Sequence, residues 1–224
     1  LEPGQDVPQP LVNELLRRFS TKEGYDIFSD VLPFFKMLRS RSSTSDAKVW
    51  PWKKTVVGII TNSDDRVPGI LESFGLKVGP RRVGTPDERK AEAALEDDIS
   101  FVVLSYDVGV EKPKRAIFEA AYKSFQETLA SKGDESNAQD WEKLYIGDSL
   151  EHDVVGANQA GWKALRLDRQ DQDQDSLTSK GIRVTREHVK TGDRSYDIEV
   201  FTIKDLGALR SIDPTKRWPG KEGL

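Results

Sequence analysis

Apolar positions along the chain fall into two alternating kinds of run. Residues 54–61 (KTVVGIIT), 100–105 (SFVVLS), 143–147 (KLYIG) and 163–167 (KALRL) are short and nearly continuous. Runs of that length suit strands buried on both faces, as in a parallel sheet. The other kind is spaced by three and four. Leu11, Val12, Leu15, Leu16 and Phe19 form one face of a short helix over 11–19. Residues 27–39 (IFSDVLPFFKMLR) predict a second helix, with Asp30 near its start and Pro33 in its first turn. Val67, Ile70, Leu71 and Phe74 predict a helix over 64–74, with Pro68 near its start. Phe118, Ala121, Tyr122, Phe125 and Leu129 predict the longest helix, over 113–130. Pro113 would sit at its first position, where a missing N–H costs nothing. Residues 152–160 predict a further helix, 198–202 a last strand and 204–210 a last helix. Buried strands alternating with amphipathic helices imply an α/β fold on a parallel sheet.

The polar stretches divide the chain. Residues 1–10 are a Pro-rich lead-in, and 40–49 and 131–140 read as loops. Residues 80–98 read as a charged loop with one or two helical turns. Residues 168–195 are polar and acidic and are expected to be a solvated insertion. Within them, DQDQD (171–175) has the first acidic positions of a calcium loop. Ser176 stands where the turn glycine is needed, however, and Ile182 where a bidentate Glu belongs, so a solvated loop is the better reading. The expected organisation is a lead-in and short helix over 1–23 and an α/β core over 24–224, with the insertion at 168–195.

Composition removes several classes of function. Lys+Arg number 34 against 38 Asp+Glu, a net charge of −4, which argues against a dedicated nucleic-acid surface. No apolar run approaches the roughly 20 residues that span a bilayer, and no secretory signal pattern is visible. The expectation is an intracellular protein, cytoplasmic or nuclear, with no membrane or nucleic-acid partner. The 224 residues contain no cysteine and only two histidines, His152 and His188. Disulfides, thiol catalysis and multi-histidine metal sites are thereby excluded. The five tryptophans (Trp50, Trp52, Trp141, Trp162 and Trp218) are scattered and read as packing residues. The first residue is Leu1 rather than Met, which suggests a processed, truncated or partial chain.

In open parallel sheets, ligands bind beyond the carboxyl ends of the strands. Three of those ends carry suitable polar residues. Thr61-Asn62 follows the first strand, and a hydroxyl with the next backbone N–H can hold a phosphoryl oxygen. By itself such a pair also reads as a helix cap. Lys112, in GVEKP, sits at the start of a helix, where a cation opposes the dipole unless an anion lies nearby. An exposed surface lysine is the plain alternative. Gly147-Asp148-Ser149 with Asp153 places two carboxylates about one helical turn apart. One could bind a hard cation directly and the other through water, as Mg²⁺ prefers. An Asx turn is the competing reading.

In this order the three segments resemble motifs II, III and IV of the haloacid dehalogenase (HAD) superfamily of phosphohydrolases. The matching text is VVGIITNSDDR (56–66), VVLSYDVGVEKPKRAIFEAA (102–121) and LYIGDSLEHDVVGANQAGWKAL (144–165). The resemblance covers roughly residues 24–167 and is nearest to the hydrolases with a helical cap after the first strand. It implies a Rossmann-like core in which LVNELLRRF is a cap remnant and GYDIFSDVLPFFKMLR the helix returning to the core. It implies that Thr61 bonds the transferring phosphoryl group, that Lys112 neutralises its charge, and that Asp148, supported by Asp153, holds Mg²⁺. The implied activity is hydrolysis of a small phosphorylated substrate through an aspartyl-phosphate.

The departure from the family is its first motif, DxDxT/V, which supplies the attacking carboxylate and the general acid/base. No such motif precedes Thr61, and Asp6 has no second Asp two positions on. Asp64 and Asp65 lie past the strand end and cannot take its place. The expected fold therefore lacks its first, central strand, leaving an empty slot between the strands 54–60 and 143–147. The expected consequence is no turnover by this chain alone. Two other readings remain: a non-catalytic relative acting as a binding or scaffold subunit, and a receiver-like α/β domain. The second conflicts with a lysine that precedes the GDxxxxD segment.

Overall fold

The computed structural model describes residues 6–40, 50–92, 97–131, 137–170, 181–191 and 194–212. The DQDQD segment and Trp218 lie outside them.

The first helix, α1 (Gln9–Arg18), forms where the periodicity places it. Its apolar side is nevertheless exposed: Leu16 keeps 63% of its surface in water and Phe19 50%. The second helix, α2 (Val31–Ser40), has Pro33 in its first turn and buries Phe35. Asp30 does not cap it. Its carboxylate instead accepts from Arg169 and from the backbone N–H of Leu206, tying the entry of α2 to a distant part of the chain.

Strand β1 (Gly58–Thr61) is followed by α3 (Val67–Ser73) and the short α4 (Asp87–Ala91). Strand β2 (Phe101–Leu104) runs parallel to β1, with Gly58 opposite Phe101 and Thr61 opposite Leu104. Successive side chains of a strand point to opposite faces, and these two strands bury both. Ile60, Phe101 and Val103 pack against Ile117, Phe118 and Phe125. Val102 and Leu104 pack against Phe35 and Leu76. Gly58 is required by its neighbour, because a Cβ there would lie 2.1 Å from the Phe101 ring.

After the one-turn α5 (Ser105–Val108) comes α6 (Arg115–Ser131), the longest helix. It starts two residues after Pro113. The chain first makes a tight turn, with Lys114 N–H donating to the Glu111 carbonyl, so Pro113 lies in that turn and not at the first helical position. Strand β3 (Leu144–Gly147) leads into a π-helical turn over Leu150–Val155, continued by α7 (Gly156–Gln159). The expected helix over 152–160 is thus two pieces of different pitch. Strand β4 (Lys163–Leu167) runs parallel to β3.

The expectation of a solvated loop over 168–195 is overturned in its second half. Ile182–Thr191 forms strand β5, paired antiparallel along its whole length with β6 (Arg194–Ile203). Its exposure alternates, with 184, 186, 188 and 190 exposed and 183, 185, 187 and 189 less so, but charged residues stand on both sides, so the sequence shows no apolar alternation. Strand β6 begins earlier than the apolar 198–202 suggested, and its far end pairs parallel with β4. Val189, Ile198 and Val200 then cover Val154 and Val155 of the π-turn. The last expected helix is a 3₁₀ turn over Leu206–Ser211.

The strands form two sheets, β1-β2 and β3-β4-β6-β5, with helices on both faces. Strands β1 and β3 are not paired with each other. Between them lies a cavity of about 430 Å³, lined by residues 54–60, in and just before β1, and 143–146, in and just before β3. Aromatic side chains close it on both sides: Phe34, Phe35 and Trp50 on one, Phe125, Trp141 and Trp162 on the other. Trp50, Trp52, Trp141 and Trp162 all join apolar clusters, as packing residues should. The Val57 carbonyl accepts from Ser100 in the direction of β2. Backbone groups alternate sides along a strand, so those of Gly58 and Ile60 face the cavity.

Candidate functional site

The carboxyl ends of β1 and β3, and the turn before α6, meet at one end of this cavity. Thr61 ends β1, and among the described residues its hydroxyl makes no hydrogen bond. The residues on either side of it are tied to the rest of the site. Asn62 clamps the backbone of Lys112 at two points: its Oδ1 accepts from Lys112 N–H at 2.7 Å, and its Nδ2 donates to Lys112 C=O at 3.2 Å. Ile60 C=O accepts from the Tyr145 hydroxyl at 3.0 Å.

Lys112 turns inward. Its Nζ lies 2.6 Å from Asp153 Oδ1 and 2.9 Å from the Tyr145 hydroxyl. Its side chain is 12% exposed and that of Asp153 3%. This is not the solvated surface lysine of the plain alternative. The carboxylate that offsets the cation at this position is Asp153.

Asp153 is fully committed. Oδ2 accepts from the Ser149 N–H at 2.9 Å, while Oδ1 meets Lys112 and, at 3.2 Å, the Tyr145 hydroxyl. Gly147 makes this possible, since a Cβ there would lie 2.3 Å from Asp153 Oδ2. Gly156 plays a similar part against the lysine's turn, where a Cβ would lie 2.9 Å from the Cα of Pro113. Ser149 Oγ caps the π-turn by accepting from His152 N–H.

Asp148, between Gly147 and Ser149, is exposed, and among the described residues its carboxylate has no hydrogen-bond or ion-pair partner. A carboxylate held at a strand end without a partner is the kind of hard oxygen donor that Mg²⁺ takes. The described residues contain no group of three or more Asp, Glu or His that could hold a metal. Among the described residues Asp148 is thus a single uncommitted carboxylate, with Asp153 already engaged behind it.

Burial, followed by the charge and hydrogen bond of Asp153 and the charge of Asp148, pushes the Tyr145 hydroxyl well above its ordinary pKa. It therefore stays a phenol, able to donate. Sequence reasoning missed this residue, because an aromatic side chain in a buried strand reads as core. It also missed the Asn62 clamp, which joins residues 50 positions apart.

A family model described as HAD-hydrolase-like matches residues 110–191, a span that includes Lys112, Asp148 and Asp153. A glyceraldehyde 3-phosphate phosphatase from Methanopyrus kandleri is 41% identical over 111 residues, covering 47% of this chain and 42% of the relative. These two matches support HAD superfamily membership. Two fungal relatives match over longer stretches. The uncharacterized protein YMR130W of Saccharomyces cerevisiae is 29% identical over 169 residues, which is 74% of this chain and 46% of the relative. The putative uncharacterized hydrolase C7D4.05 of Schizosaccharomyces pombe is 29% identical over 162 residues, 72% of this chain and 56% of the relative. The chain thus spans about half the length of the curated relatives it matches. A solved HAD phosphatase from Thermococcus onnurineus aligns over 95% of this chain and 67% of its own, at a TM-score of 0.49 and 22% identity. Among the described residues no helix of this chain is long and apolar enough to cross a membrane.

Proposed function

We propose that the protein to which this chain belongs is a Mg²⁺-dependent phosphatase of small phosphomonoesters, working through an aspartyl-phosphate. The described residues supply the half of its site that grips phosphate and metal. The observation that supports this reading is that Lys112 is tied to both strand ends: to that of Thr61 through Asn62 and, by way of Tyr145, Ile60, and to that of Asp148 through Asp153, which accepts from Ser149 N–H.

The roles follow from the geometry. The Thr61 hydroxyl is free to donate to a phosphoryl oxygen at the end of β1. The Asn62 side chain is spent on Lys112, so its share in phosphate binding falls to its backbone N–H. Lys112 brings a positive charge to the same place, where charge on a transferring phosphoryl group is best offset by fixed, preorganised donors. Asp148 would hold the cation and Asp153 would orient Lys112 from behind. A bound Mg²⁺ would supply Lewis-acid neutralisation of phosphoryl oxygens.

The attacking carboxylate is not among these residues. The cavity between β1 and β3 supports the view that it arrives on a further strand. Strands lie about 4.8 Å apart when paired, and the two edges face each other across an apolar space without a strand-to-strand ladder. Unpaired buried backbone groups are costly, and an inserted parallel strand would satisfy both edges. Its carboxyl end would lie beside Thr61, Lys112 and Asp148. A small phosphorylated metabolite as substrate is in keeping with the name of the Methanopyrus relative.

The test is hydrolysis of p-nitrophenyl phosphate by the longest polypeptide that the coding sequence gives. The proposal expects turnover that EDTA abolishes and Mg²⁺ restores, and that Asp148→Asn reduces by at least about 10²-fold. Turnover indifferent to EDTA and to Asp148→Asn would contradict it.

A further inference from the structure

Among the described residues the Tyr145 hydroxyl is the group that touches all three arms of the site. It accepts from Lys112 Nζ at 2.9 Å, and it lies 3.0 Å from Ile60 C=O and 3.2 Å from Asp153 Oδ1. A phenol has one proton to donate. The Ile60 carbonyl is the nearer recipient, at 3.0 Å against 3.2 Å for Asp153 Oδ1, which already accepts from Lys112. The bonds then run in one direction, from Lys112 to Tyr145 to the backbone of β1, one residue before Thr61.

We propose that Tyr145 is a positioning residue that sets the Lys112 ammonium in register with the Thr61 end of β1. This rests on the role given to Lys112 under Proposed function. The lysine side chain has four rotatable bonds, and a single ion pair leaves its ammonium free to pivot about Asp153. A second acceptor at 2.9 Å removes that freedom. The phenol is itself held: its ring is packed edge-on against Phe118, with centroids 5.4 Å apart, and the residue is 9% exposed. Lys112 is therefore referred to β1 through its side chain by way of Tyr145, and through its backbone by way of Asn62. No step moves a proton onto or off the phenol.

The decisive variant is Tyr145→Phe, which keeps the packed ring and removes only the hydroxyl. Two readouts on the longest polypeptide separate the inference from the function it rests on. The first is the ¹H–¹⁵N signal of the Lys112 ammonium, assigned by its disappearance in Lys112→Arg. The inference expects exchange with water to accelerate at least about tenfold in Tyr145→Phe. Incorporating 4-aminophenylalanine at 145, which restores a polar group on the same ring, should recover most of the protection. The second is steady-state hydrolysis of p-nitrophenyl phosphate. A misplacement of about 1 Å can cost 10²-fold, so kcat should fall by about that factor with KM within threefold. An unchanged ammonium signal overturns the inference whether or not the protein is a phosphatase. Unchanged kcat in an active protein overturns it while leaving the proposed function intact. No activity in the wild type, together with an accelerated ammonium exchange in Tyr145→Phe, defeats the proposed function and leaves the positioning geometry standing. If Tyr145→Phe fails to fold, the 4-aminophenylalanine protein is compared with the wild type. Loss of ammonium protection there, in a folded protein, overturns the inference, and retained protection supports it.

Discussion

Nζ of Lys112 stands 2.6 Å from Oδ1 of Asp153, and both side chains are shielded from water. Removing one partner of a buried pair leaves the other as an uncompensated charge, at a cost of about 3–5 kcal/mol. Lys112→Met should therefore destabilise the chain by about 3 kcal/mol in urea unfolding. Adding Asp153→Asn in the same chain should recover at least half of that loss, because the stranded charge is then gone. Equal stability of Lys112→Met and the wild type would show that the pair is not formed.

Gly147 and Asp153 should be energetically coupled. A Cβ at 147 would meet Asp153 Oδ2 at 2.3 Å, so Gly147→Ala must push the carboxylate off the Ser149 N–H. Forced overpacking of this kind costs about 1–3 kcal/mol. In a background already carrying Asp153→Ala the same change should cost less by about 1 kcal/mol or more, a coupling that a double-mutant cycle reads directly. Additive effects would place the two side chains apart.

Asp30 should make the fold acid-sensitive. Burial alone would raise its pKa. The hydrogen bonds from Arg169 and from Leu206 N–H, with the charge of Arg169, outweigh burial and hold the carboxyl below its ordinary range. A carboxylate whose pKa is depressed by folding adds stability above the unfolded value, about 3.9 for Asp. That stability is lost as pH falls through the folded value. Asp30→Asn should thus be less stable than the wild type at pH 7, with the gap closing below about pH 4. A gap that stays constant down to pH 2 would remove Asp30 from the account.

Much of this architecture could be read from the chain because buried parallel strands announce themselves. KTVVGIIT and SFVVLS lack polar alternation, and the polar residues just beyond such strands are natural candidates for chemistry. Thr61, Lys112, Asp148 and Asp153 were singled out that way. The β5 strand was not, because IRVTREHVKT carries charges on both faces, Arg183 and Glu187 on one and Arg186 and Lys190 on the other, so no apolar alternation marks it. The available signal was the Gly192-Asp193 dipeptide between two segments of equal length. The hub at Tyr145 and the clamp at Asn62 were invisible for a different reason. Their partners lie 85 and 50 positions away, at Ile60 and Lys112. Only the folded sheets bring them together, and a tyrosine in an apolar run gives no sign that its hydroxyl is in use. The exposed apolar side of α1 shows the converse. Periodicity specifies a helix there, but not what its apolar face packs against.

The central claim is that these residues form the phosphate- and metal-gripping half of a hydrolase site, with the attacking carboxylate on a strand that fits between β1 and β3. Phosphate release from p-nitrophenyl phosphate, measured side by side for residues 1–224 alone and for the longest polypeptide of the same coding sequence, tests it most directly. The account predicts Mg²⁺-dependent turnover by the longer polypeptide and none by residues 1–224. Robust hydrolysis by residues 1–224 alone would contradict it, since nothing described at the mouth of the cavity would then be waiting for a nucleophile.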